Sequence, residues 1–165
     1  MLTREDKKQL LDELEEEFKG LKEELGFEST LDGLDKHFFI RDMIISYGYV
    51  PNSFKSAVLH RIKERFYQHV SQIHRMLLPS PYSVMESAEH NMLSDEDKKE
   101  LDLQMKRYVQ KTVECGLALM REDKEDQARY IDDSLSLLKE TFPVLLRYQE
   151  KTYKLWKEEI NKVED

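Results

Sequence analysis

The chain has 165 residues, of which 39% are hydrophobic and 36% are charged, and its net charge is -8. The negative charge disfavours broad, unspecific attraction to nucleic acid or anionic membranes. Only five Gly and four Pro occur, too few for the many turns of a β-sandwich or barrel. The chain length fits one domain. We therefore expect an all-α, single-domain antiparallel helical bundle of four to five main helices over residues 1–165.

Cysteine content and the start of the chain narrow the class of protein. Cys115 is the single cysteine, so neither an internal disulfide nor a zinc site built from several cysteines can form. Within the fourth helix we expect Cys115 to be a small residue of the core. The first residues are polar and acidic where a secretory signal would be apolar. We expect a cytoplasmic protein without membrane attachment, metal or cofactor.

Two helices are predicted in the first third of the chain, over about residues 3–25 and 31–47. Thr3 is a suitable cap for the first helix, and Gly26 can end it in the left-handed conformation. The second segment is apolar nearly all round, which predicts a central position in the fold. The first helix carries a stripe at spacings of three and four: Leu11, Leu14, Phe18, Leu21 and Leu25.

The third helix is predicted over about residues 53–78, and Pro79 and Pro81 end it. The connection over residues 79–93 contains Pro and Met, and a short helix is predicted near residues 83–90. Its Tyr82 and Met85 are adaptable side chains that either cover the end of the bundle or form a docking patch for a partner. The third helix turns inward Leu59, Ile62, Phe66, Val70, Ile73 and Leu77.

Ser94 and the acidic residues after it predict the start of the fourth helix. Its apolar residues are expected to face inward: Leu101, Met105, Tyr108, Val109, Val113 and Met120. The last helix is predicted over about residues 126–163, continuous but kinked at Pro143. Its inward stripe is predicted to contain Ile131, Leu135, Leu138, Phe142, Leu145, Trp156 and Ile160.

The predicted last helix is long enough to extend past its neighbours. At 1.5 Å per residue it would measure about 55 Å, against about 40 Å for the third and fourth helices. Tyr153, Trp156 and Ile160 lie in this extension, and leaving such side chains in water is unfavourable. Either the stripe of the first helix covers them or a second copy does. We favour a homodimer that associates through these three residues.

The third helix is basic in an acidic chain. It holds five Lys and Arg residues against Glu64 alone, and one face carries Arg61, Arg65, Gln68, Gln72 and Arg75. A row of planar, multi-donor side chains is typical of surfaces that bind carboxylates or phosphates. This face is the candidate site for RNA or an acidic protein. The alternative is that it is an ordinary solvated helix face.

Two acidic pairs suggest a second alternative. Glu13 with Glu16, and Asp32 with Asp35, have spacing three on consecutive helices. Their arrangement is broadly similar to the carboxylates that hold magnesium in all-α nucleoside triphosphate pyrophosphatases. That similarity implies a magnesium-dependent nucleotide hydrolase if the four carboxylates converge on one cleft. In a chain with 34 acidic residues, such pairs also arise by chance.

Other patterns with catalytic potential are weaker. His60 and Glu64 have the i, i+4 spacing of two metal ligands on one helix face, but two ligands do not complete a site. The chain lacks a Gly-rich phosphate loop and a Ser nucleophile elbow. We therefore expect a non-catalytic interaction or scaffolding protein that self-associates.

Overall fold

The computed structural model describes residues 3–164, with side chains as far as residue 161. About 85% of the described residues are helical and none lies in a strand, so the all-α prediction is confirmed. The helices of this part of the chain are α1 (Arg4–Leu25), α2 (Leu31–Phe38), α3 (Ile40–Tyr47), α4 (Phe54–Leu77), α5 (Val84–Asn91), α6 (Asp95–Arg121) and α7 (Lys124–Glu164). The short helix predicted after Pro81 is α5.

The helix ends predicted from capping residues are present. Thr3 and Asp6 form a reciprocal capping box at the start of α1, and Gly26 ends α1 at φ 81°. Ser94 and Asp97 form the same pair of side chain to backbone hydrogen bonds at the start of α6. These contacts satisfy amide groups that the first turn of a helix leaves unpaired. The polar residue types in the sequence therefore fixed the ends of α1 and the start of α6.

The prediction of a single helix over residues 31–47 is wrong. The helix breaks at Phe39, which adopts the left-handed conformation at φ 55° and separates α2 from α3. The Asp35 side chain accepts the backbone N–H of Arg41 at 2.7 Å, which satisfies an amide at the new helix start. Neither Gly nor Pro marks this break. The Asp35 side chain, three residues before the end of α2, therefore stabilises the start of α3.

Three arginines hold this break, which we call the α2–α3 corner. The Arg41 guanidinium donates to Asp35 and Asp32 at 3.1 and 2.7 Å. Arg61 of α4 donates from Nε to the carbonyl of Phe38, the last residue of α2, at 2.9 Å. Arg65 lies 4.8 Å from the centre of the Phe39 ring. Positive charge at the carboxyl end of a helix is favourable.

Contacts divide the chain into two compact units. The first unit comprises the chain up to Phe66 together with Lys111–Leu137. In this unit α3 packs against α1 and α2. Cys115 is buried, as expected, and its thiol donates to the Leu59 carbonyl at 3.4 Å. The apolar core of this unit includes Leu14, Leu34, Ile40, Ile44, Leu59, Ile62, Phe66 and Ile131.

The loop between α1 and α2 is attached to α7 by Asp132. Its carboxylate accepts the backbone N–H groups of Glu28 and Ser29, both at 2.8 Å, and the Ser29 hydroxyl at 2.5 Å. One carboxylate thus satisfies three donors from a loop that precedes it by about a hundred residues. This contact joins the loop between α1 and α2 to α7, which supplies the last residues of the first unit.

The second unit comprises Tyr67–Gln110 and the chain from Leu138 onward. Tyr108 is fully buried, and its hydroxyl donates to Thr141 at 2.5 Å. Arg107 forms two hydrogen bonds with the Glu140 carboxylate, at 2.9 and 2.8 Å. The buried apolar residues of this unit include Ile73, Met76, Leu93, Leu101, Tyr108, Leu138 and Tyr148. Segments of α6 and α7 therefore share polar as well as apolar contacts here.

Five residues predicted to face inward are exposed instead: Val109, Val113, Met120, Phe142 and Ile160. The buried side of α6 passes through Leu101, Tyr108 and Cys115. Val109 follows Tyr108 directly and therefore lies about 100° away around the helix. Both α6 and α7 carry apolar residues on more than one face, and spacing alone did not separate the covered face from the open one.

Removing Arg61 is expected to destabilise the protein, whereas removing Arg75 is not. Arg61→Ala deletes a hydrogen bond to the end of α2 and a 2.9 Å ion pair with Glu64. We expect a loss of about 1–3 kcal/mol of unfolding free energy. Arg75 is exposed, and Arg75→Ala should stay within about 0.5 kcal/mol. Urea titrations followed by circular dichroism measure both. Equal stability of the two variants would contradict the structural role of Arg61.

Candidate functional site

The second half of α7 is the strongest candidate for a functional surface. Helix α7 runs without interruption through Pro143, so the predicted continuity is confirmed. It begins beside Asp123, whose carboxylate accepts the backbone N–H of Asp126 at 2.8 Å. The residues after Leu137 belong to the second unit. That part of α7 therefore presents one continuous helical surface of one unit.

A row of exposed apolar side chains follows this part of α7. We call it the α7 stripe; its members and exposed fractions are Phe142 (49%), Leu146 (47%), Tyr153 (67%) and Ile160 (60%). The spacings are four, seven and seven residues, so all four side chains lie on one face of the helix. Single exposed apolar residues are ordinary on protein surfaces, but a row on one helix face is typical of a binding surface.

The other side of α7 is fixed against α6 by a polar cluster around Tyr148. Tyr148 is buried, and its hydroxyl donates to the Glu100 carboxylate at 2.6 Å and lies 3.2 Å from Asp97 Oδ1. Lys151 donates to Asp97 at 2.7 Å, and Arg147 pairs with Glu100. These contacts set the rotation of α7 about its axis. The stripe residues consequently point away from the covered side.

Charge and burial shift the ionisation of this cluster. The Lys151 ammonium lowers the pKa of Asp97 to about 2, helped by the backbone N–H of Ser94 and the Tyr148 hydroxyl. Burial raises the pKa of Tyr148, and its hydrogen bond to the Glu100 carboxylate raises it further. Near neutral pH, Asp97 is ionised and Tyr148 keeps its proton. Tyr148 therefore donates its one hydroxyl hydrogen to the Glu100 carboxylate, with the Asp97 carboxylate beside it.

Helix α5 covers part of the end of α7. The indole N–H of Trp156 donates to the Glu89 carboxylate at 3.0 Å, and Trp156 is half-buried. The expected cover for this segment was the first helix or a second copy. A helix in the connection after Pro81 provides part of it instead. Of the three residues predicted for self-association, Tyr153 and Ile160 are the exposed ones.

Two members of the α7 stripe were missed by sequence reasoning. Phe142 was assigned to the inward stripe, and Leu146 was not singled out. Phe142 follows the buried Thr141 directly, so it lies about 100° around the helix from a covered position. The available signal was the repeat of seven from Leu146 through Tyr153 to Ile160, which runs beside the inward residues.

The candidate docking patch in the connection is also exposed. Tyr82 is 95% exposed, and Val84 and Met85 follow it at the start of α5. The Ser83 side chain caps α5, so the patch is attached to an ordered helix start. Among the described residues of this patch, no ion pair lies beside the apolar side chains. The patch therefore gives no indication of a partner's charge.

The candidate residues of the basic helix fall into two groups. Arg61 and Arg65 take part in the α2–α3 corner, and burial together with the nearby charge of Arg61 lowers the pKa of Arg65. Arg61 and Arg65 belong to the first unit, whereas Gln68, Gln72 and Arg75 belong to the second. Gln68 and Arg75 are exposed and Gln72 is half-buried. The geometry of Arg61 and Arg65 favours a structural role over capture of an anion.

Three of the four carboxylates proposed for magnesium binding have other partners. Asp32 and Asp35 bind the Arg41 guanidinium, and Glu13 accepts a hydrogen bond from Gln9 at 2.9 Å. Glu64 pairs with Arg61. Among the side chains described over residues 3–161, no group of three or more His, Cys, Asp or Glu could hold a metal ion. The four carboxylates therefore do not form the shared cleft that the hydrolase hypothesis needs.

Comparison with other proteins gives no family assignment: no protein-family model, curated protein sequence or solved structure matches this chain. None of the described helices combines the length and the apolar character needed to cross a lipid bilayer. The surfaces of the chain itself therefore indicate its candidate function.

The ionised state of Asp97 is expected to stabilise the second unit in a pH-dependent way. A pKa lowered from 3.8 to about 2 means that this contribution is present above about pH 4 and is lost as the pH falls toward 2. Asp97→Asn should lower the unfolding free energy by about 1–2 kcal/mol at pH 6 and by much less at pH 2.5.

Chemical denaturation at the two pH values measures this difference. Asp95→Asn is the matched control, because Asp95 is exposed in the same first turn of α6 and has no ion pair with a described residue. A cost of Asp97→Asn that does not change between pH 6 and pH 2.5 would show that the charge of Asp97 does not stabilise the fold.

Proposed function

We propose that this chain is a non-catalytic helical interaction protein that self-associates through the α7 stripe. The observation that carries the proposal is the row of Phe142, Leu146, Tyr153 and Ile160 on an exposed helix face. Burying a large apolar side chain contributes about 1.5–3 kcal/mol relative to leaving it exposed. Several such side chains in one row supply enough free energy to hold two helices together. A scaffolding role follows, in which two copies bring their remaining surfaces together.

The rigid attachment of α7 supports the same proposal. Tyr148 and Lys151 fix the side of the helix away from the stripe through contacts with Glu100 and Asp97, and Trp156 contacts Glu89 of α5 at the edge of the stripe. A surface that is already ordered loses little conformational entropy on binding. Three features remain predictions and are separate from this proposal: the antiparallel bundle, the single-domain organisation and the kink at Pro143.

Removing the stripe is expected to separate the copies without unfolding them. Leu146→Ser combined with Tyr153→Ser deletes two exposed anchors and leaves the buried Tyr148 cluster intact. We expect the dissociation constant of the dimer to rise at least about a hundredfold. Light scattering coupled to gel filtration measures the mass, and circular dichroism measures helicity. Trp156 is left unchanged, because its indole N–H bonds to Glu89 within the same chain.

The matched control is Leu103→Ser combined with Tyr82→Ser. These are the same two substitutions, made at residues that are 56% and 95% exposed outside the stripe. The control should keep the dimer mass. A monomeric wild type would refute self-association, and a dimer that the control disrupts as strongly as the stripe variant would refute the role of the stripe.

A further inference from the structure

We infer that the second copy lies antiparallel along the α7 stripe, with Glu150 of each chain opposite Lys157 of the other. This inference rests on the self-association proposed above and adds the direction and register of the partner helix. It is carried by the heptad arrangement of the stripe and by two exposed charges of opposite sign beside it.

The stripe follows the seven-residue repeat of a helix pair. With Leu146, Tyr153 and Ile160 at the first position of successive heptads, the fourth position holds Phe142, Gln149 and Trp156. First and fourth positions form the contact seam between two paired helices. Trp156 leans toward α5, where it bonds to Glu89, and the other members are exposed. In the register proposed here, the layers among the described side chains join Tyr153 to Trp156 and Gln149 to Ile160 of the other copy.

Glu150 and Lys157 occupy the same heptad position, one repeat apart, directly beside the seam. Both are exposed, and neither forms an ion pair with a residue whose side chain is described. In an antiparallel pair, this position faces its own equivalent on the other helix. If Tyr153 of each chain contacts Trp156 of the other, Glu150 of each chain lies opposite Lys157 of the other. The two-fold axis therefore generates two such charge pairs.

A parallel pair would not satisfy these charges. In a parallel pair the position of Glu150 and Lys157 faces the seventh position of the partner, which holds Leu145 and Thr152. Glu150 would then lie opposite Leu145, and Lys157 opposite Thr152, so neither charge would meet an opposite charge. Charge complementarity of the chain with itself therefore selects the antiparallel direction.

Charge reversal tests the register directly. Glu150→Lys alone, or Lys157→Glu alone, places like charges opposite one another at two points of the dimer. Each single variant should weaken dimerisation about tenfold at low salt. The double variant Glu150→Lys with Lys157→Glu restores opposite charges and should return the dissociation constant to within about threefold of wild type. Sedimentation equilibrium measures the constants, and circular dichroism confirms folding.

Matched controls separate the register from a general effect of net charge. Glu158→Lys and Lys154→Glu make the same changes of charge at exposed positions of α7 outside the seam, and should leave dimerisation within about threefold. If wild type dimerises but the double variant stays as weak as the single variants, the antiparallel register is overturned while self-association stands. Controls that weaken the dimer equally would overturn it too. A wild type that stays monomeric would remove the proposed self-association itself.

Discussion

The carboxylate of Asp97 decides which side of α7 is covered. It completes the cap of α6 with Ser94 and accepts a hydrogen bond from Lys151, while Tyr148 lies buried between it and Glu100. A helix with apolar residues on two faces can present either of them to its neighbours. These polar contacts are directional, so they select one rotation of α7 where hydrophobic burial alone would not. The open stripe, and with it the proposed dimer, depends on that selection.

Four of the residues that suggested two competing binding sites make structural contacts inside the first unit. Arg61 and Arg65, proposed for anion binding, stabilise the same break in the chain as Asp32 and Asp35, proposed for magnesium. Charged side chains of α2, α3 and α4 thus all contact the short segment of chain at the α2–α3 corner. A left-handed Phe39 is conformationally unfavourable, so it requires a surrounding structure that holds it. The need to stabilise this break thus explains Arg and Asp side chains that resemble those of a binding site.

The sequence predicted what depends on local chemistry. Residue types within one turn determine the helix starts at Thr3 and Ser94 and the left-handed helix end at Gly26. The break at Phe39 was not predictable from Gly or Pro, because Asp35 and three arginines from α3 and α4 support it. The open face of α7 was missed because spacings of three and four fit Phe142 and Leu145 equally well. The contacts of Tyr148 and Lys151 with α6 distinguish the faces.

Distances between spin labels on two copies test the pairing of α7 most directly. Lys154→Cys and Asn161→Cys, in a Cys115→Ala background, place labels at the same heptad position on the exposed side of α7. The antiparallel pair predicts close labels at position 154 and labels at position 161 that are about 20 Å farther apart along the helix axis. Equal distances at both positions would contradict the antiparallel pair. Absence of any coupling between copies would contradict self-association through the α7 stripe.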